Sequence, residues 1–357
     1  MHPVRFVCGT LLLALLFAAS SAAAEKPFTV GSLTARPGER VSGFLLVPPG
    51  VDAGTQIPVT LIHGAQPGPV LALVAGTHGY EYAPIIALQK VRGQIDPAEL
   101  KGTVILVQVA NLPSFLGRTI YYSPVDGKNL NRVYPGKADG TVSERIAYTI
   151  TTEIIARADY VADLHCGDGN EALRPYSYWT KSGNADLDER SRQMALAFGL
   201  DHIVIVTDRP ADPQASVYTD NTALTRGKPA ITTETGQIGE TGPEWVGLVE
   251  RGVWNLLRHF KMMAGEPEPA EHVVWLDKTE VLRSPQTGLF YAAVKPGYTV
   301  AAGGLLGRLT DFFGQPLAEI RAPFAGVVTY VVATPPVSQG EPLAMVARIQ
   351  AESESSR

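Results

Sequence analysis

Four short stretches of this sequence end in side chains that could bind a metal or move a proton. The first is Ala75-Gly76-Thr77-His78-Gly79-Tyr80-Glu81, where an apolar run gives way to small residues, a histidine and, three places on, a glutamate. If Glu81 lies in the first turn of a helix, His78 and Glu81 converge on one point, as two zinc ligands must. His-x-x-Glu spacing is weak alone, and its placement after a buried run gives it weight. The second stretch, Asp159-Tyr160-Val161-Ala162-Asp163-Leu164-His165-Cys166-Gly167, brings His165 to the end of another apolar run. Two imidazoles and a carboxylate would leave the fourth position of a tetrahedral ion open to water, the pattern of catalytic zinc. Any one histidine is more often a polar strand-end residue. Three donors at one sheet edge make coincidence the poorer account.

The third stretch, Ile231-Thr232-Thr233-Glu234-Thr235-Gly236, ends in a carboxylate not needed as a ligand. A glutamate beside the water of such a site can take its proton and deliver it to a departing amine, the two transfers that amide hydrolysis requires. The fourth runs from Gly117-Arg118 through Asp126-Gly127-Lys128-Asn129-Leu130-Asn131-Arg132 to Tyr134-Pro135-Gly136. Arginine grips carboxylates through two parallel bonds and polarises carbonyls, so Arg118 and Arg132 could hold an acidic group and stabilise an oxyanion. Cys166 is a competing ligand or nucleophile. Its neighbouring strand position points away from His165, so it reads as a small buried residue.

The elements that must position these residues alternate. Short apolar stretches at 41–47 and 57–62, broken by Pro and Gly, predict strands leading into the main fold. Buried-type strands are expected at 70–75, 104–109, 159–164, 202–207 and 229–233. Helices are expected at 82–92, with Pro84 in the first turn, at 142–157 behind a Thr141/Ser143 cap with Glu144, near 186–198 and at 245–263. This alternation predicts an α/β fold, a mixed sheet flanked by helices on both faces, with ligands at the carboxyl ends of strands.

Gly265-Glu266-Pro267-Glu268-Pro269 marks a boundary, after which Gly, Pro and Val dominate and helical patterns cease. There Val300-x-x-Gly303-x-x-Leu306 recurs as Val337-x-x-Gly340-x-x-Leu343, which predicts two similar β units over 270–350 folding on each other. The spacing looks like a biotinyl/lipoyl-type sandwich, but Lys295 is the last lysine of the chain, so no carrier lysine lies between the halves. A module that covers an active site is the expectation.

Residues 1–24 carry Arg5, an apolar run from Leu11 to Ala19 and the small residues Ser21-Ala22-Ala23-Ala24 before Glu25, the layout of a cleavable export signal. A periplasmic or secreted protein is expected, without a membrane anchor. Cys8 would leave with the signal and Cys166 would remain alone, so no internal disulfide is expected. The rest is longer than one compact domain usually holds, which predicts a zinc hydrolase region over 25–265 with an N-terminal β extension, followed by the β module. The net charge is −5, with Lys and Arg scattered rather than clustered. That excludes nucleic acid and anionic membrane as natural partners.

Taken in order, Gly-x-His-Gly-x-Glu at 76–81, Asn-Leu-Asn-Arg-Val-Tyr-Pro-Gly at 129–136, Asp-Leu-His at 163–165 and Glu-Thr-Gly at 234–236 resemble the succinylglutamate desuccinylase/aspartoacylase family of the zinc carboxypeptidase superfamily. The resemblance runs over nearly the whole mature chain, and the carboxy-terminal β region resembles the extra domain of the bacterial deacylase branch. It implies one zinc on His78, Glu81 and His165, Glu234 as catalytic base, Asn131 and Arg132 on the substrate carboxylate and Arg118 on the scissile carbonyl. Related enzymes usually have Asp where this chain has Asn129, and that group commonly orients a zinc-bound imidazole. The expected activity is removal of the acyl group from a small N-acyl amino acid. Two alternatives stay open: an exported carboxypeptidase acting on short or cell-wall peptides, and a binding protein that kept the fold without catalysis. Tyr122, Tyr218 and Tyr291 are further candidates to reach the substrate.

Overall fold

The computed structural model describes His2 and residues 26–351, so the export signal expected over 1–24 lies outside the described residues apart from His2. No helix among the described residues is long and apolar enough to cross a membrane.

Continuous apolar runs build a thirteen-stranded mixed sheet among the described residues. Its centre is parallel: Gln66–Ala75 lies between Lys101–Val107 and Tyr160–His165, and Ala230–Glu234 follows on the far side of Tyr160–His165. Because side chains alternate along a strand, Leu71, Leu73 and Ala75 enter one core while Ala72 and Val74 enter the other. Helices Tyr82–Gln94, Ala185–Phe198 and Pro243–His259 close the first core. Val142–Thr149 and the turns after it close the second. Both faces are covered, which is why these strands are apolar throughout.

The helix expected over 142–157 does not run straight. It holds to Thr149, widens into a π turn over Ile150–Ile154 and tightens over Ile155–Arg157. Thr149 and Thr152 donate from their hydroxyls to the carbonyls of Arg145 and Tyr148, four residues back, a bond that loosens a helix. Strand Tyr176–Thr180, helix Leu112–Gly117 and helix Thr219–Leu224 had no counterpart in the pattern reading.

Beyond residue 273 the chain is all β and joined to the main sheet. Val274–Arg283 pairs in parallel with His202–Val206 and antiparallel with Pro342–Ile349. The repeated Val-x-x-Gly-x-x-Leu unit is a strand, a turn at a left-handed glycine and a second strand. In the first copy Thr299–Val300 belongs to the large sheet and Leu305–Thr310 to a separate four-stranded sheet; in the second copy, Pro336–Val337 and Pro342–Ile349, the assignment is reversed. The two units therefore exchange strands across one shared core that includes Leu306, Val328, Leu343 and Val346.

Candidate metal centre and active site

The three central parallel strands end at one edge, with Ala75 beside Leu164 and Glu234 beside His165. After Ala75 the chain turns at Gly76 with φ of 70°, where an added Cβ would lie 2.9 Å from the Val109 Cα. Glycine is needed for this turn, which carries His78 back over the edge. Glu81 caps helix Tyr82–Gln94, so its carboxylate faces the strand ends.

His78 Nδ1 lies 2.6 Å from Glu81 Oε1, and His165 Nδ1 lies 2.8 Å from Glu81 Oε2. All three side chains are buried, and their donor atoms fall within 4.8 Å of one another. Behind each ring stands an oxygen: Asp163 Oδ2 is 2.9 Å from His165 Nε2, and Asn129 Oδ1 is 3.1 Å from His78 Nε2. Those oxygens place the proton on Nε2 and turn both Nδ1 lone pairs toward the Glu81 carboxylate. Two lone pairs and an anion facing each other out of water repel unless a cation lies among them. The donor set therefore fits a zinc ion held by His78, Glu81 and His165. Without a metal the same balance is met by protons: burial raises the pKa of Glu81, but protonated His165 and His78 outweigh it and lower the value to about 2.

Glu234 has the opposite character. Burial pushes its pKa well above the carboxylate range; His165 pulls it back while Glu81 and Glu171 push it further. Its Oε2 has no hydrogen-bond partner among the described residues. With His78, Glu81 and His165 it lines a cavity of about 260 Å³. A half-buried carboxylate with an unpartnered inner oxygen and a raised proton affinity, beside a candidate metal site, is suited to accept a proton and release it again.

The other expected site residues divide. Arg132 lines the cavity with its Cζ 4.6 Å from the centre of the Tyr218 ring. Asn131 also reaches it, but its Oδ1 accepts from Thr219 N at 3.0 Å and its Nδ2 donates toward Asp163 Oδ2 at 3.5 Å. It acts as a brace between the metal strand and helix Thr219–Leu224. Arg118 does not join them: the unanticipated helix Leu112–Gly117, capped by the Asn111 side chain, ends on it with a left-handed φ of 50°. The turn leaves it exposed beside a separate hollow with Tyr82, Phe115 and Leu116, away from the cavity. Of the three tyrosines only Tyr218 lines the cavity; Tyr122 and Tyr291 are exposed elsewhere. Cys166 is buried among apolar side chains.

Pattern reading missed Arg209, Glu171 and Tyr121, which all line the cavity. Tyr121 takes a left-handed φ of 57°, donates from its hydroxyl to Glu171 Oε1 at 2.8 Å and from its N–H to Asp168 Oδ2 at 2.9 Å. It shares its left-handed backbone with Arg118, three residues earlier, and sequence does not display φ. The carboxy-terminal strands supply the outer wall through Val281, Arg283, Tyr330, Pro342 and Met345.

Comparison with known proteins adds a second line. The family model of the succinylglutamate desuccinylase/aspartoacylase catalytic domain matches residues 67–260. The chain is 32% identical over 318 residues to an N-alpha-acetyl-L-2,4-diaminobutyric acid deacetylase of Halomonas elongata, covering 86% of this chain and 91% of that one. It is similar to the product-bound ectoine utilization protein of Ruegeria pomeroyi, with a TM-score of 0.80, 27% identity and coverage of 90% and 98% of the two chains. A succinylglutamate desuccinylase/aspartoacylase structure from Rhodobacter sphaeroides matches with a TM-score of 0.77, 26% identity and coverage of 88% and 96%.

Proposed function

The chain belongs to the succinylglutamate desuccinylase/aspartoacylase family, and from that premise we propose that it is a zinc-dependent amidohydrolase that removes the acyl group from a small N-acyl amino acid. The observation that carries this reading is the meeting of two imidazole Nδ1 atoms on Glu81 beside the unpartnered Glu234. Zinc, when bound by His78, Glu81 and His165, would polarise the scissile carbonyl and make a water acidic enough to deprotonate near neutral pH. Glu234 accepts the proton of the attacking water and passes it to the nitrogen as the C–N bond breaks. Asp163 and Asn129 hold the imidazoles in the required tautomer. Arg132 faces the cavity where the substrate carboxylate would lie, and Asn131 keeps the Arg132 loop in register with the metal strand.

The outer wall supports deacylation over peptidase action on polymers. Residues 270–350 act as a covering module, and Tyr330, Pro342 and Met345 from it form part of the cavity wall, which narrows the space a polymer would need. About 260 Å³ suits a small molecule. The relative from Halomonas elongata is named for an acetylated diamino acid, which makes acetyl the first acyl group to try. We also propose that residues 1–24 direct export, so that the enzyme works outside the cytoplasm.

The test is amine release from a panel of Nα-acetyl and Nα-succinyl amino acids set beside short peptides with a free C-terminus. Faster turnover of the acyl amino acids is the expected result. Faster cleavage of the peptides would replace deacylase by carboxypeptidase, and no turnover by zinc-loaded protein would leave a binding function.

A further inference from the structure

Two guanidinium groups share one aromatic ring in the cavity. Arg132 Cζ lies 4.6 Å and Arg209 Cζ 3.7 Å from the centre of the Tyr218 ring. Neither has a carboxylate within ion-pair distance among the described residues. Arg132 donates to the carbonyl of its neighbour Asn131 at 2.7 Å, and Arg209 Nε is buried without a partner. Asp220, which also lines the cavity, accepts from the Thr180 hydroxyl at 2.9 Å; burial raises its pKa and the Arg209 charge, beyond ion-pair distance, lowers it in part. Two like charges on one ring repel, and that cost is recovered only when an anion arrives between or beside them. Stacking on a ring also leaves the edge of a planar guanidinium free for two parallel bonds to a carboxylate.

We propose that Arg209 is a specificity-determining residue which, with Arg132 across Tyr218, seats the free carboxylate of the amino-acid half of the substrate. The inference rests on the deacylase reading above and adds a residue to it. Arg209 lies in the Asp- and Pro-rich loop between strand His202–Val206 and helix Thr219–Leu224, and it also borders a second hollow with Lys181 and Asn221. The seat is therefore built from two loops that meet only in the folded chain. A substrate whose carboxylate is blocked as an amide or ester leaves both guanidiniums without an anion at ion-pair distance. Such a compound is the one the site rejects.

The experiment measures kcat and KM on Nα-acetyl-2,4-diaminobutyrate, Nα-acetylaspartate and Nα-acetylglutamate, then on the carboxamide of the best of them, for wild type and Arg209→Gln. The glutamine variant is expected to raise KM by about 10- to 100-fold, the worth of one bond to a charged group, with little change in kcat. Its preference for the acid over the carboxamide should fall by a similar factor, and zinc content should stay at the wild-type level. Should the glutamine variant lose zinc, Arg209→Lys takes its place: charge without the planar fork is expected to give a smaller rise in KM. A variant with wild-type KM and undiminished preference for the free acid overturns this inference and leaves the deacylase reading standing. Wild type that hydrolyses none of the acetyl amino acids overturns both, and that is known before any variant is made.

Discussion

His165 and His78 meet the same carboxylate, yet the two sides of the metal site are built differently. His165 ends a central strand, and the group behind it, Asp163, is two residues earlier on the same strand and so on the same face. That support is a buried charge fixed by the sheet. His78 stands on a turn, and the group behind it, Asn129, comes from a loop fifty-one positions away. Its Oδ1 also accepts from Asn131 N at 2.9 Å, so one neutral oxygen serves two donors. An anionic acceptor makes an imidazole a stronger metal ligand than an amide does. On the proposed zinc reading, the strand side would hold the metal and the loop side would adjust it.

Breaking the stronger side should have the largest effect. Asp163→Asn is expected to weaken zinc binding by about 10- to 100-fold, measured by competition with a coloured chelator, because it removes the buried charge behind His165. Asn129→Ala should cost clearly less, since only a shared neutral acceptor is lost; an equal or greater loss would show that the two sides are equivalent. Asn129→Asp sharpens the comparison from the other direction. Giving His78 the anionic backing that His165 already has should tighten zinc binding, by less than the loss in Asp163→Asn. The smallest effect on metal is expected in the outer wall: Tyr330→Ala should leave zinc affinity unchanged and admit bulkier acyl amino acids, read as a fall in their KM relative to the acetyl compounds.

The strand side is also what the sequence displayed best. Apolar runs ending in His165 and Glu234 announce strands whose last residues share an edge, because a parallel sheet buried on both faces leaves a long unbroken apolar signal. His78 and Glu81 were legible for the same reason. The loop side was harder. The motif spacing pointed to Arg118, but the short helix Leu112–Gly117 turns it to the surface, and six residues carry too little periodicity to reveal a helix. The family resemblance puts Asn131 on the substrate carboxylate; the folded chain shows its amide engaged by Thr219 and Asp163. Arg209 had no signal, since a loop side chain is placed by the strands that bring the loop in. Strand Tyr176–Thr180 was missed although its aromatic residues favour a strand, because five residues next to a proline offer no clear period.

The carboxy-terminal region taught a related lesson. Its internal repeat was visible as two Val-x-x-Gly-x-x-Leu units, and left-handed Gly303 and Gly340 explain the spacing. What the repeat did not reveal is that one strand from each unit joins the main sheet through the pairing of Pro342–Ile349 with Val274–Arg283. That continuity fixes Tyr330 and Met345 over the cavity.

The most direct test of the zinc-hydrolase account is zinc content and turnover measured on the same samples of wild type, His165→Ala and Glu234→Gln. The account predicts about one zinc per chain in wild type and in Glu234→Gln. It predicts little zinc in His165→Ala, and turnover lower by about 10²- to 10⁴-fold in the zinc-loaded glutamine variant. Glu234→Gln turning over at the wild-type rate, or His165→Ala keeping its zinc, would contradict it.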